Sequence, residues 1–361
     1  MRYRQHYGLV IATMALLISS GLASCNRPAP EAEAPALDAT ATPQSSPTAP
    51  PSQDTQPLEV TRALLAAELQ LSKPWKIAYV LKTTNPQSPY TLRVKDGAIA
   101  AGEQLGVDVQ IFTTGKEGPV PEFVEDQIKE ILKVIDQGDF DGMVIAPAES
   151  VRVAPVIERA IAAGIPTIAM DTPVNTDRIL SYVKFDNFAV GKAIGEWVVE
   201  QLGGSGKVVI LNGPLEQQNA VDRRDGFLDG LKSGNIEVLA MESASWELAA
   251  AQEITRRWLA EFSEIDALIS ANDRMAIGAI EEIAAANRQG ILVTGLDAVE
   301  AGLQAIQQGQ LALTVDQRPE TQALLAVKML VLHLEGQQTF PAITPVPDIP
   351  LVTAENVEDY L

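Results

Sequence analysis

GMVIAPAESVRVAPVIERAIAAGIPTIAMD, residues 142–171, holds two short apolar runs, GMVIA and PTIAM, on either side of a segment whose apolar residues recur at helical spacing. An apolar run of four to six residues with no polar alternation is a strand buried on both faces, and buried strands that alternate with helices form parallel sheets covered on both sides. Moving outward, the same grammar repeats in KIAYVL, VDVQIF, KVVIL, DALIS and ILVTG, with helical stretches between. Val124, Ile128, Ile131, Leu132 and Ile135 mark the core face of one covering helix, and Val190, Ile194, Trp197 and Val198 that of another. The expected fold is α/β, with two similar doubly wound parallel-sheet lobes.

In open parallel sheets the ligand crevice lies beyond the carboxyl ends of the strands, where helix N-termini also point. Asp171 follows PTIAM, Asn272 and Asp273 follow DALISA, and Asp297 follows ILVTGL. Each is equally suited to capping the next helix. The same placement in both halves of the chain favours a shared site.

The remaining composition narrows the setting. Arg2 and Arg4 precede an apolar run, Gly8 to Ser24, which ends at small residues before Cys25. That order of charge, core and small residues reads as an export signal over 1–24, the alternative being an uncleaved anchor. LASC at 22–25 resembles the bacterial lipobox, which implies a lipid on Cys25 and a place in the periplasm or cell envelope. Cys25 is the sole cysteine, so no internal disulfide is available. Residues 25–57 carry the lipidated cysteine and a Pro/Ala-rich segment too poor in apolar residues to pack, read as a tether. A short lead-in, 58–74, precedes the lobes. With 27 basic against 47 acidic residues the chain repels nucleic acid and anionic lipid, which excludes DNA binding.

Catalysis also lacks its usual parts. The histidines are His6, in the signal, and His333, on an apolar helical stretch; no thiol nucleophile, metal cluster or other cofactor site can be assembled. Asp171 and Asp297 remain a possible carboxylate pair for glycoside chemistry, and an arginine near both, such as Arg223, would keep both ionised and so deny a general acid. GGSGK at 203–207 and DQGDFDG at 136–142 are out of register for phosphate and calcium loops and read as turns.

Seven motifs in order, KIAYVLKTTNPQSPYTLRVKDGA, IAPAESVRVAPVIERAIAAGIPTIAMD, VKFDNFAVGKAIGEW, AVDRRDGF, SANDRMAIGAI, VTGLDAVEAG and LTVDQRPETQA, resemble the periplasmic sugar-binding proteins of the ribose/galactose type. These are the type I solute-binding proteins of ABC importers. The likeness runs from about Trp75 to Asn356. The same fold forms the sensor half of LacI-type repressors, which begin with a DNA-binding segment that this chain does not have. The resemblance implies a two-lobe body with crossings near Lys184 to Asn187, Gln317 and Pro341. The lobes are then 75–185 plus 318–340 and 186–317 plus 341–361. It further implies a monomer that binds one small sugar-like ligand by hinge closure and docks on membrane permease subunits. A sensor kinase or chemoreceptor is the alternative partner.

Carried over by motif, Asp171 and Asp297 are the ligand's acceptors, Arg223 (or its neighbour Arg224) the cationic fork, and Asn272 and Gln317 the amides. Tyr90 and Trp246 wall the ring, while Lys82, Ser88 and Thr91 line the first strand-to-helix loop. This set suits a buried sugar, because each hydroxyl left without a partner costs a few kcal/mol, on the order of one lost hydrogen bond plus its desolvation. Four departures from the ribose-type pattern stand out: Thr172 replaces a second arginine, Thr91 replaces the second aromatic of the first loop, Leu296 replaces an aromatic, and Lys82 replaces a small hydroxyl residue. They imply a site that is not built for plain ribose.

Overall fold

A computed structural model describes residues 56–82, 88–114, 120–336, 338–347 and 350–361. Cys25, the export segment and the proposed tether up to residue 55 lie outside the described residues.

The first lobe is built on β1 (Lys76–Val80), β2 (Asp108–Phe112), β3 (Gly142–Ile145), β4 (Thr167–Met170) and β5 (Ser181–Lys184). Helices α1 (Gln56–Ala66), α2 (Pro89–Leu105), α3 (Val120–Gln137) and α4 (Ala154–Ala162) accompany them. The period-2 alternation of a strand assigns its neighbours to opposite faces. Ile77, Tyr79 and Leu81 therefore pack in a core with α1 and α2 residues, whereas Ala78 and Val80 pack with Val124, Ile131, Val134 and Ile157 of α3 and α4. Pro89 pre-sets the first turn of α2, and Gly106, at φ 71, ends it by turning left-handed.

The second lobe follows with α5 (Asn187–Gln201), β6 (Ser205–Asn212), α6 (Gln218–Leu231), β7 (Asn235–Ser243) and α7 (Leu248–Glu261). It continues through β8 (Ala267–Ser270), α8 (Asp273–Ala285), β9 (Leu292–Thr294), α9 (Glu300–Gln307) and β10 (Thr314–Val315). The chain then returns to the first lobe as α10 (Pro319–Leu334) and β11 (Ile343–Pro345), and ends with β12 (Leu351–Val352) and a 3-10 turn, Val357–Tyr360.

The first sheet has the order β11-β5-β4-β3-β1-β2 and the second β7-β6-β8-β9, parallel throughout. A β10–β12 antiparallel pair completes the second lobe. The α/β expectation with two parallel-sheet lobes holds.

Three details differ from the sequence reading. β11 pairs with β5, so the chain leaves the first lobe past Pro345 rather than near Pro341. The short lead-in at 58–74 contains most of α1, a helix that buries Leu64 in the first lobe's core. Lys328 holds α1 by donating to Leu65 O at 2.7 Å, and Thr61 Oγ1 donates to Pro345 O at 2.7 Å. Trp197 is only partly buried, while Val190, Ile194 and Val198 are fully so.

One packing feature positions the site directly. Gly191 and Gly195 of α5 face Gly226 and Gly230 of α6 so closely that a Cβ on Gly191 would lie 2.4 Å from Arg223 O. A side chain at any of the four would force the helices apart. Their absence brings α6, and with it Arg223, down onto the start of α5.

Candidate functional site

Every acceptor picked out in the sequence sits just past the carboxyl end of a parallel strand, as the crevice rule requires. Asp171 directly follows β4 in left-handed backbone, φ 63. Tyr182 on β5 steadies that turn by donating its hydroxyl to Asp171 O at 2.9 Å. Lys82, just past β1, reaches across with Nζ 2.5 Å from Asp171 Oδ2 and 2.6 Å from Thr172 Oγ1. The hydroxyl of Tyr90, in the first turn of α2, donates to Asp171 Oδ1 at 3.2 Å. Ser88 and Thr91 pair with each other, oxygen to oxygen at 2.8 Å. The first lobe thus contributes a carboxylate whose two oxygens both have protein partners.

The second lobe presents Arg223, Trp246, Asp297 and Gln317. Arg223 is buried on α6 and donates Nε to Asn187 Oδ1 and Nη1 to Ala271 O, both at 2.7 Å. Its guanidinium lies over the Trp246 ring with Cζ 5.3 Å from the centroid, a cation–π contact. Arg224 instead pairs with Asp225 at 2.7 Å, which settles which arginine faces inward. Trp246 stands in the turn before α7 at φ 65, and Gly213 at the end of β6 leaves it room: a Cβ there would lie 2.1 Å from the indole. Asp297 has φ 128 and accepts a short hydrogen bond from Gln317 Nε2. The side-chain oxygen of Gln317, Oε1, is buried without a protein partner.

Two of the expected residues take structural places. Asn272 is the N-cap of α8 and accepts from Met275 N at 2.9 Å through its side-chain oxygen, the alternative its position allowed. Leu296 is wholly buried in the core of the second lobe. Asp273, the other polar residue after β8, is also internal: it accepts from Thr314 Oγ1 at 2.7 Å and Val299 N at 3.0 Å. It thereby ties α8 to the loop that carries Asp297.

The charges of the two lobes meet at the cleft. The phenol of Tyr90 is held well above its ordinary pKa, first by burial and then by the negative charges of Asp171 and Asp297, with Arg223 opposing. One side chain therefore lies in the field of an acid from each lobe. Asp297 itself is pushed up to about 7, because burial and Asp273 outweigh the pull of Arg223. This corrects the sequence expectation that Arg223 keeps both acids ionised.

Sequence reasoning passed over Tyr182, Asn187, Gln217 and Arg93. Asn187 stood inside the FDN segment and was read only as part of the crossing. Gln217 and Arg93 carried no local signal at all.

Comparison with known proteins places this architecture. The family described as periplasmic binding protein domain matches residues 77–338. The ribose import binding protein of Haemophilus influenzae is 28% identical over 276 residues, covering 76% of this chain and 90% of that protein. The xylitol-binding protein of Mycolicibacterium smegmatis is 30% identical over 239 residues, covering 65% of this chain and 67% of its own. Among solved structures, an ABC transporter periplasmic solute-binding protein from Actinobacillus succinogenes with bound D-allose superposes with a TM-score of 0.73 at 27% identity, covering 80% of this chain and 100% of that one. With a family match across both lobes and relatives of the ribose type that are binding proteins, this chain belongs to the periplasmic binding protein domain family.

Proposed function

We propose that this protein is an exported, lipid-anchored solute-binding protein that closes its two lobes on one monosaccharide or similar small polyol and delivers it to an ABC importer. The observation that carries the reading is that Asp171 with Tyr90 on one lobe and Asp297 on the other each stand just past a strand end, with α2, the helix that bears Tyr90, tied across the cleft by Arg93 Nη1 to Asp297 O at 2.8 Å. Acceptors on two sides with a cationic donor between them fit a ring whose hydroxyls each donate and accept. Trp246 supplies a flat apolar face for the C–H side of such a ring. The names of the similar proteins, which bind ribose, allose and xylitol, agree with that chemistry.

Plain ribose is disfavoured. Lys82 takes up the space beside Thr172, so the cation that the ribose-type pattern places after the acid comes here from a different strand end. Membrane attachment is assigned to a lipid on Cys25. A Cys25→Ser variant is expected to lose incorporation of labelled palmitate and to leave the membrane fraction; retention of both would overturn the assignment.

A thermal-shift panel of pentoses, hexoses, deoxysugars and polyols tests the ligand class. A ligand bound only by the native state, at about a hundred times its dissociation constant, adds about 2.7 kcal/mol, which corresponds to a rise of roughly 5 °C or more. At least one monosaccharide or polyol is expected to give that rise, with ribose below it. A flat panel would end the sugar reading.

A further inference from the structure

Two side chains outside the expected binding set bridge the cleft from opposite lobes, and both end on backbone carbonyls. Arg93, on α2 of the first lobe, sends Nη1 to Asp297 O at 2.8 Å and Ala298 O at 3.3 Å in the second lobe. The rest of its guanidinium is fixed by Asp316 at 3.1 Å, in the second crossing, and by Glu320 on α10 at 2.8 and 3.0 Å. Gln217, in the turn before α6 of the second lobe, sends Nε2 to Ala148 O at 3.0 Å in the first. Its side-chain oxygen Oε1 accepts from Trp246 Nε1 at 2.8 Å. Gln217 is buried, and Arg93 is half-buried.

Each bridge therefore acts on a residue of the candidate binding set: Asp297 through its peptide, Trp246 through its indole. The turns that hold Asp297 and Trp246 are both strained. Among the described residues, the non-glycine residues at positive φ include Ser245, Trp246, Asp297 and Ala298, all four in these two turns. Such conformations persist only where the surroundings hold them. Arg93 reaches the Asp297 turn from the first lobe, and Gln217 links Trp246 to Ala148 of the first lobe.

We propose that Arg93 and Gln217 are positioning latches that hold the lobes closed without ligand and, in the closed form, aim Asp297 and Trp246 at the ligand. Opening the cleft breaks the Arg93 bonds to two carbonyls and the Gln217 bond to a third. A closed state that is already populated raises apparent affinity by the fraction populated, and the latches set that fraction. The inference rests on the two-lobe clamp but not on the identity of the ligand.

The test measures lobe separation in the ligand-free, full-length protein by electron–electron dipolar spectroscopy, with spin labels introduced as non-natural amino acids at the exposed Asp177 and Glu253. Two variants remove one inter-lobe donor each. Gln217→Glu keeps the acceptor for Trp246 but cannot donate to Ala148 O at neutral pH, and Arg93→Lys keeps the charge but loses the fork. Wild type is expected to show a short-distance population without ligand. Each variant is expected to lower the closed-to-open ratio by about threefold to tenfold, the size of one net hydrogen bond, with the double variant lower still. Gln217→Glu is near isosteric and separates latch loss from misfolding, which an unchanged melting temperature verifies. A wild type that is wholly open, or a Gln217→Glu protein with an unchanged distance distribution, would overturn the latch. Neither outcome depends on the sugar panel, and a flat sugar panel leaves this measurement standing.

Discussion

The two walls of the cleft each offer an acid and a cation, yet they handle charge in opposite ways. On the first lobe, Asp171 and Lys82 pair directly at 2.5 Å, and Tyr90 takes the second carboxylate oxygen. On the second, Arg223 donates to neutral acceptors, and Asp297 is met by an amide and pushed up to about 7 by burial. The first wall is compensated within the protein and works as a fixed rim. The second keeps charge in reserve, so a ligand there completes interactions that the empty site lacks. The energetic weight of binding should therefore fall on the second lobe and discrimination among ligands on the first.

The largest break in that comparison is expected from Asp297→Ala. It removes an acceptor that the empty fold holds at a cost, so ligand affinity should fall by about a hundredfold or more, as for loss of a hydrogen-bonded charge, while the melting temperature changes little. Unchanged affinity would return Asp297 to a structural role. Lys82→Met should act the other way round. Leaving Asp171 largely buried without its cation should destabilise the fold by about 1–3 kcal/mol, and the further change Asp171→Asn should recover most of that loss. Chemical denaturation of the two singles and the double measures it.

The pH response separates the walls without mutation. Asp297 and Asp273 have folded-state values of about 7 and about 6, above the unfolded carboxyl range near 4. A raised carboxyl pKa means the fold prefers the protonated form. These groups therefore favour folding most below about pH 4, and that contribution is lost as pH rises through about 7. Ligand hydroxyls that donate to ionised Asp297 reverse the trend for binding, so affinity should strengthen between about pH 6 and 8. Titrations across that range, compared with Asp297→Asn, which should flatten the profile, check the sign. The smallest effect is expected from Gly213→Ala. Its methyl would displace the Trp246 ring, and affinity should weaken by several-fold with the carboxylates untouched. Indole fluorescence and titration read this together.

The fold was legible where burial is complete. The apolar runs on β1, β3, β4, β6, β8 and β9 are largely buried, and a strand covered on both faces leaves no polar alternation, whereas VDVQIF on β2 lies at the border of its sheet and alternates. β7 escaped because it borders the sheet and exposes alternate residues, NIEVLAMES reading as a mixed segment. β5 was concealed inside the crossing motif, and β11, of three residues with Ile343 exposed, carries too little apolar signal to register. At the site, Asp171 and Asp297 could be picked out by their position after strands, and Arg223 through the resemblance of AVDRRDGF to the family's motif. Asn272 was expected as a ligand amide with capping as its alternative, and its side-chain oxygen caps α8. Arg93 and Gln217 could not be found, since their partners are carbonyls of the other lobe and any residue supplies a carbonyl.

The central claim is that one small polyhydroxylated ligand is held between an acid from each lobe. Calorimetric titration of wild type, Asp171→Ala and Asp297→Ala with the sugar or polyol that most raises the melting temperature tests it directly. The account predicts one ligand per chain for wild type and loss of measurable binding in both variants. Binding that survives removal of either acid, or a stoichiometry of two, would contradict it.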